Sequence, residues 1–441
     1  MFRNPSADSP QAHRTLAPFD AAADQDIADI VFFGKKATLV NHGDLIHELL
    51  VEKAAQFRKG PLLSVNAKPL LGDGLLTGPN DLNKRQRRVI SPMFAHKKVA
   101  DYAPIVAHYA HRRIQSWTEG ATLDVPAEMT AITLGIIGEM LLSADLLDTS
   151  EDVGNAITTL MNFAVDEQRA PLRALLSLPR ALPALLFLNR TLYQRIEERR
   201  QYGEGEAGDE ADMLSRLLFA TDEATGEPYM SDRLIRDEAM TIFLAGLEAV
   251  AMGLTWTLLL LAKHPEVAAR VRDEVDRVLG ERLTPDLSDL PRLPYLQQVF
   301  KESLRFYPPA YIVARQALEP VILGNRQFKK GDVFFASPYV QHRRPVNFPD
   351  PLKFDPDRWE NPDAERLLPH RYAFMPFGGG PRVCVGGHFG MMEVHLILTG
   401  ILRSVDLTLS PNHPPMEMEP LFTLRPRNGL SLMVARRSVG V

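Results

Sequence analysis

Cysteine is almost missing from this chain: one, Cys384, among 441 residues. A single thiol excludes an intramolecular disulfide and suits a reducing compartment. No glycine/serine linker, internal repeat or low-complexity run divides the sequence, although its length alone would allow two or three domains. A strong excess of either charge is lacking too, and a net charge of −5 argues against nucleic acid as a partner. The first ten residues have no apolar core of the kind a signal peptide or membrane anchor needs. A cytoplasmic, monomeric protein without an anchor is therefore expected, with residues 1–25 as an extended or partly ordered tail and 26–441 as one domain.

What is present is mostly helical patterning. Periodicity predicts helices over Val99–Trp117, Met129–Leu142 and His264–Leu279. Short strand signals stand at Ile30–Phe33, Ala37–Val40, Val321–Leu323 and Val333–Phe335, the last two bracketing a turn at Lys329-Lys330-Gly331. A long apolar run, Asp237–Lys263, could span a bilayer by length. Glu248 at its centre and strong charge on both flanks favour instead the buried helix of a large soluble protein. Leu172–Leu188 is leucine-rich and reads as a segment broken by Pro179 and Pro183. Fold class is accordingly mainly α with small β-sheets.

The lone cysteine sits in Phe377-Gly378-Gly379-Gly380-Pro381-Arg382-Val383-Cys384-Val385-Gly386. Taken alone, Cys384 reads either as an inert buried thiol or as a ligand in a turn whose glycines admit a large flat group and leave N–H donors for a thiolate. The spacing fits neither phosphate-binding pattern, Gly-x-x-x-x-Gly-Lys-Ser/Thr or Gly-x-Gly-x-x-Gly. The order Phe-x-x-Gly-x-Arg-x-Cys-x-Gly, continued to Glu393 with Gly390 where alanine is usual, resembles the heme-binding signature of the cytochrome P450 family.

Three further motifs follow in the family's order. Glu302-Ser303-Leu304-Arg305, with Arg358 in Phe354-Asp355-Pro356-Asp357-Arg358-Trp359, resembles its Glu-Arg-Arg cluster. Glu274-Val275-Asp276-Arg277 matches the first part equally well, so the setting before Pro308-Pro309 is what separates Glu302. Ala245-Gly246-Leu247-Glu248-Ala249-Val250 resembles the distal helix pattern Ala/Gly-Gly-x-Asp/Glu-Thr-Thr/Ser, with the acid present and the hydroxyl replaced by Ala249. Thr241, Ala245, Glu248 and Ala249 share one helix face. Asn83-Lys84-Arg85-Gln86-Arg87-Arg88 resembles the helix offering Trp/His-x-x-x-Arg to a heme propionate; Arg87 fits and Asn83 departs.

The resemblance implies a single-domain fold enclosing heme b (iron protoporphyrin IX). Cys384 would be the iron ligand, and Arg87, Arg315 and Arg382 would pair with propionates, with Phe377, Gly378, Gly386 and Ala245 against the cofactor. Glu302, Arg305 and Arg358 would be structural, and Glu248, Thr241 and position 249 would face the chemistry. Leu172–Leu188 would roof the substrate channel. By family position the pocket is Leu75, Leu76, Phe243, Leu247, Ala310, Tyr311, Ile312, Val313, Leu421 and Phe422. Each of these is also ordinary core material. The implied reaction is monooxygenation (hydroxylation) of a hydrophobic small molecule.

Since no reductase domain follows Val441, electrons would come from a separate ferredoxin or flavodoxin reductase system, received at the basic stretch 84–88 and His96-Lys97-Lys98. Ala249 leaves three readings open: a substrate hydroxyl or water replaces the threonine, the enzyme uses peroxide or rearranges its substrate without external electrons, or the position is an engineered change. A non-catalytic heme sensor or carrier is the remaining alternative.

Overall fold

The long apolar run becomes a 32-residue helix, Asp232–Lys263. By length and composition it and Val125–Leu142 could each cross a membrane, yet 83% and 72% of their most apolar windows are buried within the protein. A helix apolar on all sides needs such surroundings. The computed structural model describes residues 11–12, 15–147, 171–202, 212–221 and 225–437, with scattered positions between 153 and 163. Much of the expected N-terminal tail lies outside the described residues. The part within them is ordered: Ala17–Ala21 is helical and buries Phe19.

Packing divides the chain into two units. One comprises Met1–Gly60, Val106–Met129 and Ala249–Val441, the other Pro61–Ile105 and Thr130–Glu248. The first holds the sheets. Its five-stranded sheet has the order Ile27–Phe32, Lys35–Val40, Val333–Ala336, Val313–Ala317, Phe57–Lys59. Thr38 and Leu39 lie parallel to Phe334 and Phe335, so the N-terminal hairpin is completed by chain almost three hundred residues later. Alternating apolar residues bury Phe57, Phe334 and Ala336 with Leu49 and Leu50 in one cluster.

Strand pairing differs from the sequence reading in one respect. Val321–Leu323 pairs with Arg326–Phe328, and Val333–Ala336 joins the larger sheet. The turn at Lys329–Gly331 therefore separates two sheets. The second unit is helical, including Asn80–Ile90 and Pro171–Tyr202. Pro179 and Pro183 lie inside this 32-residue helix and do not end it, correcting the expected break. Each proline removes one N–H and tends to bend a helix, but the turns on either side carry it through.

The helix Pro294–Phe306 is capped from outside: Glu274 accepts the N–H groups of Tyr295 and Leu296, both at 2.9 Å. This separates the two look-alike motifs, since Glu274 holds a helix start while Glu302 organises a loop. Glu302 and Arg305 are fully buried and paired through two bonds, 2.7 and 2.8 Å. Asp355 N–H at 3.0 Å, Arg358 Nε at 3.2 Å and Trp359 Nε1 at 2.9 Å also donate to Glu302. Arg305 donates onward to the carbonyls of His342, Pro351 and Lys353. Arg358 does so to Pro349 and Asp350. One carboxylate thus fixes the irregular segment 349–359.

Removing that carboxylate would strand two guanidiniums. Glu302→Ala is expected to cost about 3–5 kcal/mol, the scale for breaking a buried pair, read as a lowered urea midpoint. A loss under about 1 kcal/mol, the range of an exposed pair, would show that the five donors find other acceptors.

Candidate functional site

The segment fixed by Glu302 leads to the cysteine loop, and a second buried group sets its entry. His342 Nε2 accepts the N–H of Met375 at 2.9 Å. The ring must be neutral to accept, and burial, aided by the guanidiniums of Arg305 and Arg343, pushes its pKa down to about 3. From Met375 the chain turns through Gly378 and Gly380, at φ 74° and 69°. A Cβ on Gly380 would lie 1.9 Å from the Leu50 carbonyl oxygen, so only glycine is accommodated there. Cys384 N–H donates to Phe377 O at 3.0 Å, closing the loop. Gly386 caps the helix Gly387–Ser404, and a Cβ on Gly387 would sit 3.5 Å from the Phe377 ring. At Gly390 a Cβ would meet only Val250, at 3.9 Å, so the family's usual alanine would fit.

Cys384 is exposed and forms no disulfide. That sets aside the inert buried thiol, because unpaired cysteine is usually among the most buried residues. Among the described residues no three His, Cys, Asp or Glu side chains are grouped to hold an ion. A metal on this sulfur would need ligands from a macrocycle or another non-protein source.

Arg315 lies in the same unit, on the strand Val313–Ala317, and is 4% exposed. It donates to the Ala314 carbonyl at 3.0 Å, and among the described residues it has no carboxylate partner. Burial lowers its pKa to about 10, helped by repulsion from Arg382. Two guanidiniums near enough to repel, one desolvated, suit a ligand with carboxylates. Arg382 is half-buried at the end of the turn Gly380–Arg382. In the other unit Arg87 is half-buried on Asn80–Ile90. Asn83, in doubt as a propionate contact, is buried and donates to Leu75 O at 2.7 Å. Its role is structural.

Within the helix Asp232–Lys263 the expected face splits. Thr241 and Glu248 are buried, while Ala245 and Ala249 are exposed. At about 100° per residue, Thr241 and Glu248 lie on one edge of the stripe and the two alanines on the other. An exposed pair of methyl groups one turn apart, on a helix exposed elsewhere only at Asp232 and Arg233, fits a broad flat neighbour. The Thr241 hydroxyl is buried without a hydrogen-bond partner. On these observations the residues of the first unit fit a heme group: an exposed thiol on a glycine turn and a buried arginine that keeps its charge with no carboxylate partner among the described residues.

The expected pocket residues fall in both units. Leu75, Phe243 and Leu247 are buried and Leu76 is half-buried. In the first unit, Tyr311 is buried and donates its hydroxyl to Leu421 O at 2.8 Å. Ile312, Val313, Leu421 and Phe422 are half-buried, and Ala310 is exposed. Lys97 and His96 are exposed, whereas Lys98 reaches Asp101 at 3.4 Å and Arg85 lies over the Tyr229 ring. Sequence reasoning passed over His342 and the pair Asp237 and Glu238. The one signal was a charged trio, Arg236-Asp237-Glu238, entering an apolar helix.

Comparison with known proteins agrees with this geometry. The family model described as Cytochrome P450 matches residues 23–433. Cyclooctatin synthase of Streptomyces melanosporofaciens is 36% identical, covering 85% of this chain and 82% of that protein. Cyclooctat-9-en-7-ol 5-monooxygenase of the same organism is 32% identical, covering 85% and 81%. Pentalenene oxygenase of Streptomyces avermitilis is 30% identical over 95% and 92%. The solved cytochrome P450DA heme domain superposes with a TM-score of 0.84 at 26% identity, covering 98% of both chains. Mainly helical with small sheets, this chain belongs to the cytochrome P450 family and is a monooxygenase of that class.

Proposed function

We propose that the protein inserts one oxygen atom from O2 into a terpene hydrocarbon or terpene alcohol, with electrons from a separate ferredoxin or flavodoxin system and heme b as cofactor, in the cytoplasm. The net reaction takes substrate, O2, two electrons and two protons to hydroxylated product and water. The single observation that carries the reading is the exposed Cys384 on its glycine turn. Heme held by a thiolate supplies chemistry that favours O–O cleavage.

The remaining steps fall to side chains of this chain. Cys384 would hold the iron, and Phe377, Gly378 and Gly386 shape the turn beside it. Arg315, Arg382 and Arg87 would bind the cofactor's carboxylates. Glu248 would hold and pass protons at its carboxylate, while the Ala249 methyl cannot position a donor. Thr241 offers a buried hydroxyl without a hydrogen-bond partner on that helix. The apolar set Leu75, Leu76, Phe243, Leu247, Ile312, Val313, Leu421 and Phe422 would bind a hydrocarbon skeleton and exclude water. Terpene-oxidising relatives support that class. Exposed Lys97 and its basic neighbours would attract an acidic electron donor.

A second reading rests on Ala249. With no hydroxyl there, a hydroxyl on the substrate or an ordered water could hold the proton, or peroxide could bring oxygen and protons together.

Cys384→Ser is expected to abolish the red-shifted Soret band of the reduced, carbon monoxide-treated protein, because a serine oxygen is a poorer partner for iron than a thiolate. If that band and product formation both persist, the sulfur is not the ligand. Ala249→Thr is expected to raise product formed per electron pair consumed and to lower peroxide release. A well-placed proton donor contributes about 10²–10⁴-fold, so partial restoration is measurable. Unchanged coupling with undiminished peroxide-driven turnover would place proton delivery elsewhere.

A further inference from the structure

The loop bearing Leu75 and Leu76 is held by four side chains, all within the unit formed by Pro61–Ile105 and Thr130–Glu248. From the helix Asp232–Lys263, Asp237 Oδ2 accepts the N–H of Asp73 and Glu238 Oε2 that of Leu75, both at 2.9 Å. From Asn80–Ile90, Gln86 Nε2 donates to Asp73 O at 2.6 Å and Asn83 Nδ2 to Leu75 O at 2.7 Å. Two residues, Asp73 and Leu75, are therefore gripped at both backbone N–H and C=O. Glycines make the approach possible: a Cβ on Gly72 would fall 2.0 Å from the Asp237 carboxyl, and one on Gly74 2.2 Å from Thr241 Oγ1.

The clamp leaves two atoms over. Glu238 Oε1 and Gln86 Oε1 are both buried without a donor, although the Gln86 amide lies alongside Glu238. Buried acceptors are normally satisfied. A proton carried on Glu238 Oε1 and donated to Gln86 Oε1 would satisfy both.

We propose that Glu238 is a positioning residue that holds the Leu75–Leu76 loop as a neutral carboxylic acid, its proton shared with Gln86, and that losing this proton loosens the loop.

The surrounding charges agree. Burial raises the Glu238 pKa to about 8, and Asp237 adds repulsion, against the Leu75 N–H and Gln86. Arg236 is engaged by Asp237 at 2.9 Å and Asn189 at 2.6 Å, and Lys68 by Asp73 at 2.7 Å. On Asn80–Ile90, Asp81, Lys84, Arg85 and Arg88 are exposed and Arg87 is half-buried. None of these cations contributes to holding Glu238 ionised. The folded state thus binds a proton that the unfolded chain releases near its ordinary value of 4.5. The stability it contributes is complete below that pH and is lost as pH rises through about 8.

Hydrogen exchange of the peptide spanning 72–79 in the full-length holoprotein, corrected for the intrinsic rate at each pH, tests this. Protection should fall about tenfold between pH 7 and 9 as Glu238 ionises. The helix Pro265–Leu279 serves as internal control and should stay level. In Glu238→Gln the amide can donate to Gln86 and accept from Leu75, mimicking the protonated acid, so loop protection should become independent of pH. Protection in the wild-type protein that stays level, or an equal fall in Glu238→Gln, would overturn the proposal. If that variant fails to fold, infrared titration of the wild-type protein decides. A carboxylic-acid C=O band vanishing with the same midpoint as loop protection supports the proposal, and its absence at neutral pH overturns it.

Discussion

A single buried carboxylate, Glu302, is the constraint on which the first unit depends. Five donors converge on it: two from Arg305 and one each from Asp355, Arg358 and Trp359. The segment 349–359 buries Phe354, Pro356 and Trp359 in an irregular form, and its backbone groups, with no ladder to join, take their partners from these side chains. The arginines carry the charge outward to the carbonyls of Pro349, Asp350, Pro351 and Lys353, which turns one ion pair into a frame. His342 belongs to that frame twice, accepting from Met375 through its ring and from Arg305 through its carbonyl.

Buried acids in this protein are treated in three ways. Glu302 is met by charges and N–H donors on every side. Glu274 is met by the two N–H groups at a helix start, where the helix field also favours an anion. Glu393, on the helix after the cysteine loop, has no such company: burial alone pushes its pKa well above the usual carboxylate range, and Oε2 has no partner. Glu393 thus shows what burial does to a carboxyl that lacks donors.

Legibility in the sequence followed the range of the interaction. The cysteine loop, the Glu302–Arg305 pair and the Asp232–Lys263 helix were readable because each is a local pattern with a strong composition. The partners of Glu302 were harder, yet Trp359 and Pro356 beside Arg358 marked a pinned segment. What could not be read was which side chains hold backbone. Asn83 carried no sign that it would grip Leu75 O, and Glu238 looked like one charge among several at a helix start. Prolines misled in the other direction: Pro179 and Pro183 punctuate the sequence, but the helix Pro171–Tyr202 continues through them. Strand partners were equally hidden, since Val333–Ala336 sits beside Lys35–Val40 rather than with its neighbour in sequence.

The contact between Gly380 and the Leu50 carbonyl has a bearing on the order in which the molecule assembles. Leu50 and Gly380 are 330 positions apart, and the sheet beneath them pairs residues 38–39 with 334–335 and 57–59 with 315–317. Closing such long loops is slow, because chain entropy is lost before contacts repay it. On a ribosome, the N-terminal hairpin must wait for nearly the whole chain before its sheet can be completed. The turn that presents Cys384 needs Gly380 against the Leu50 carbonyl and Gly378 beside Val313 of that sheet, so the sulfur acquires its final position late. The one thiol is itself added only at position 384 of 441, long after Leu50, so its binding turn closes onto a partner made more than three hundred residues earlier.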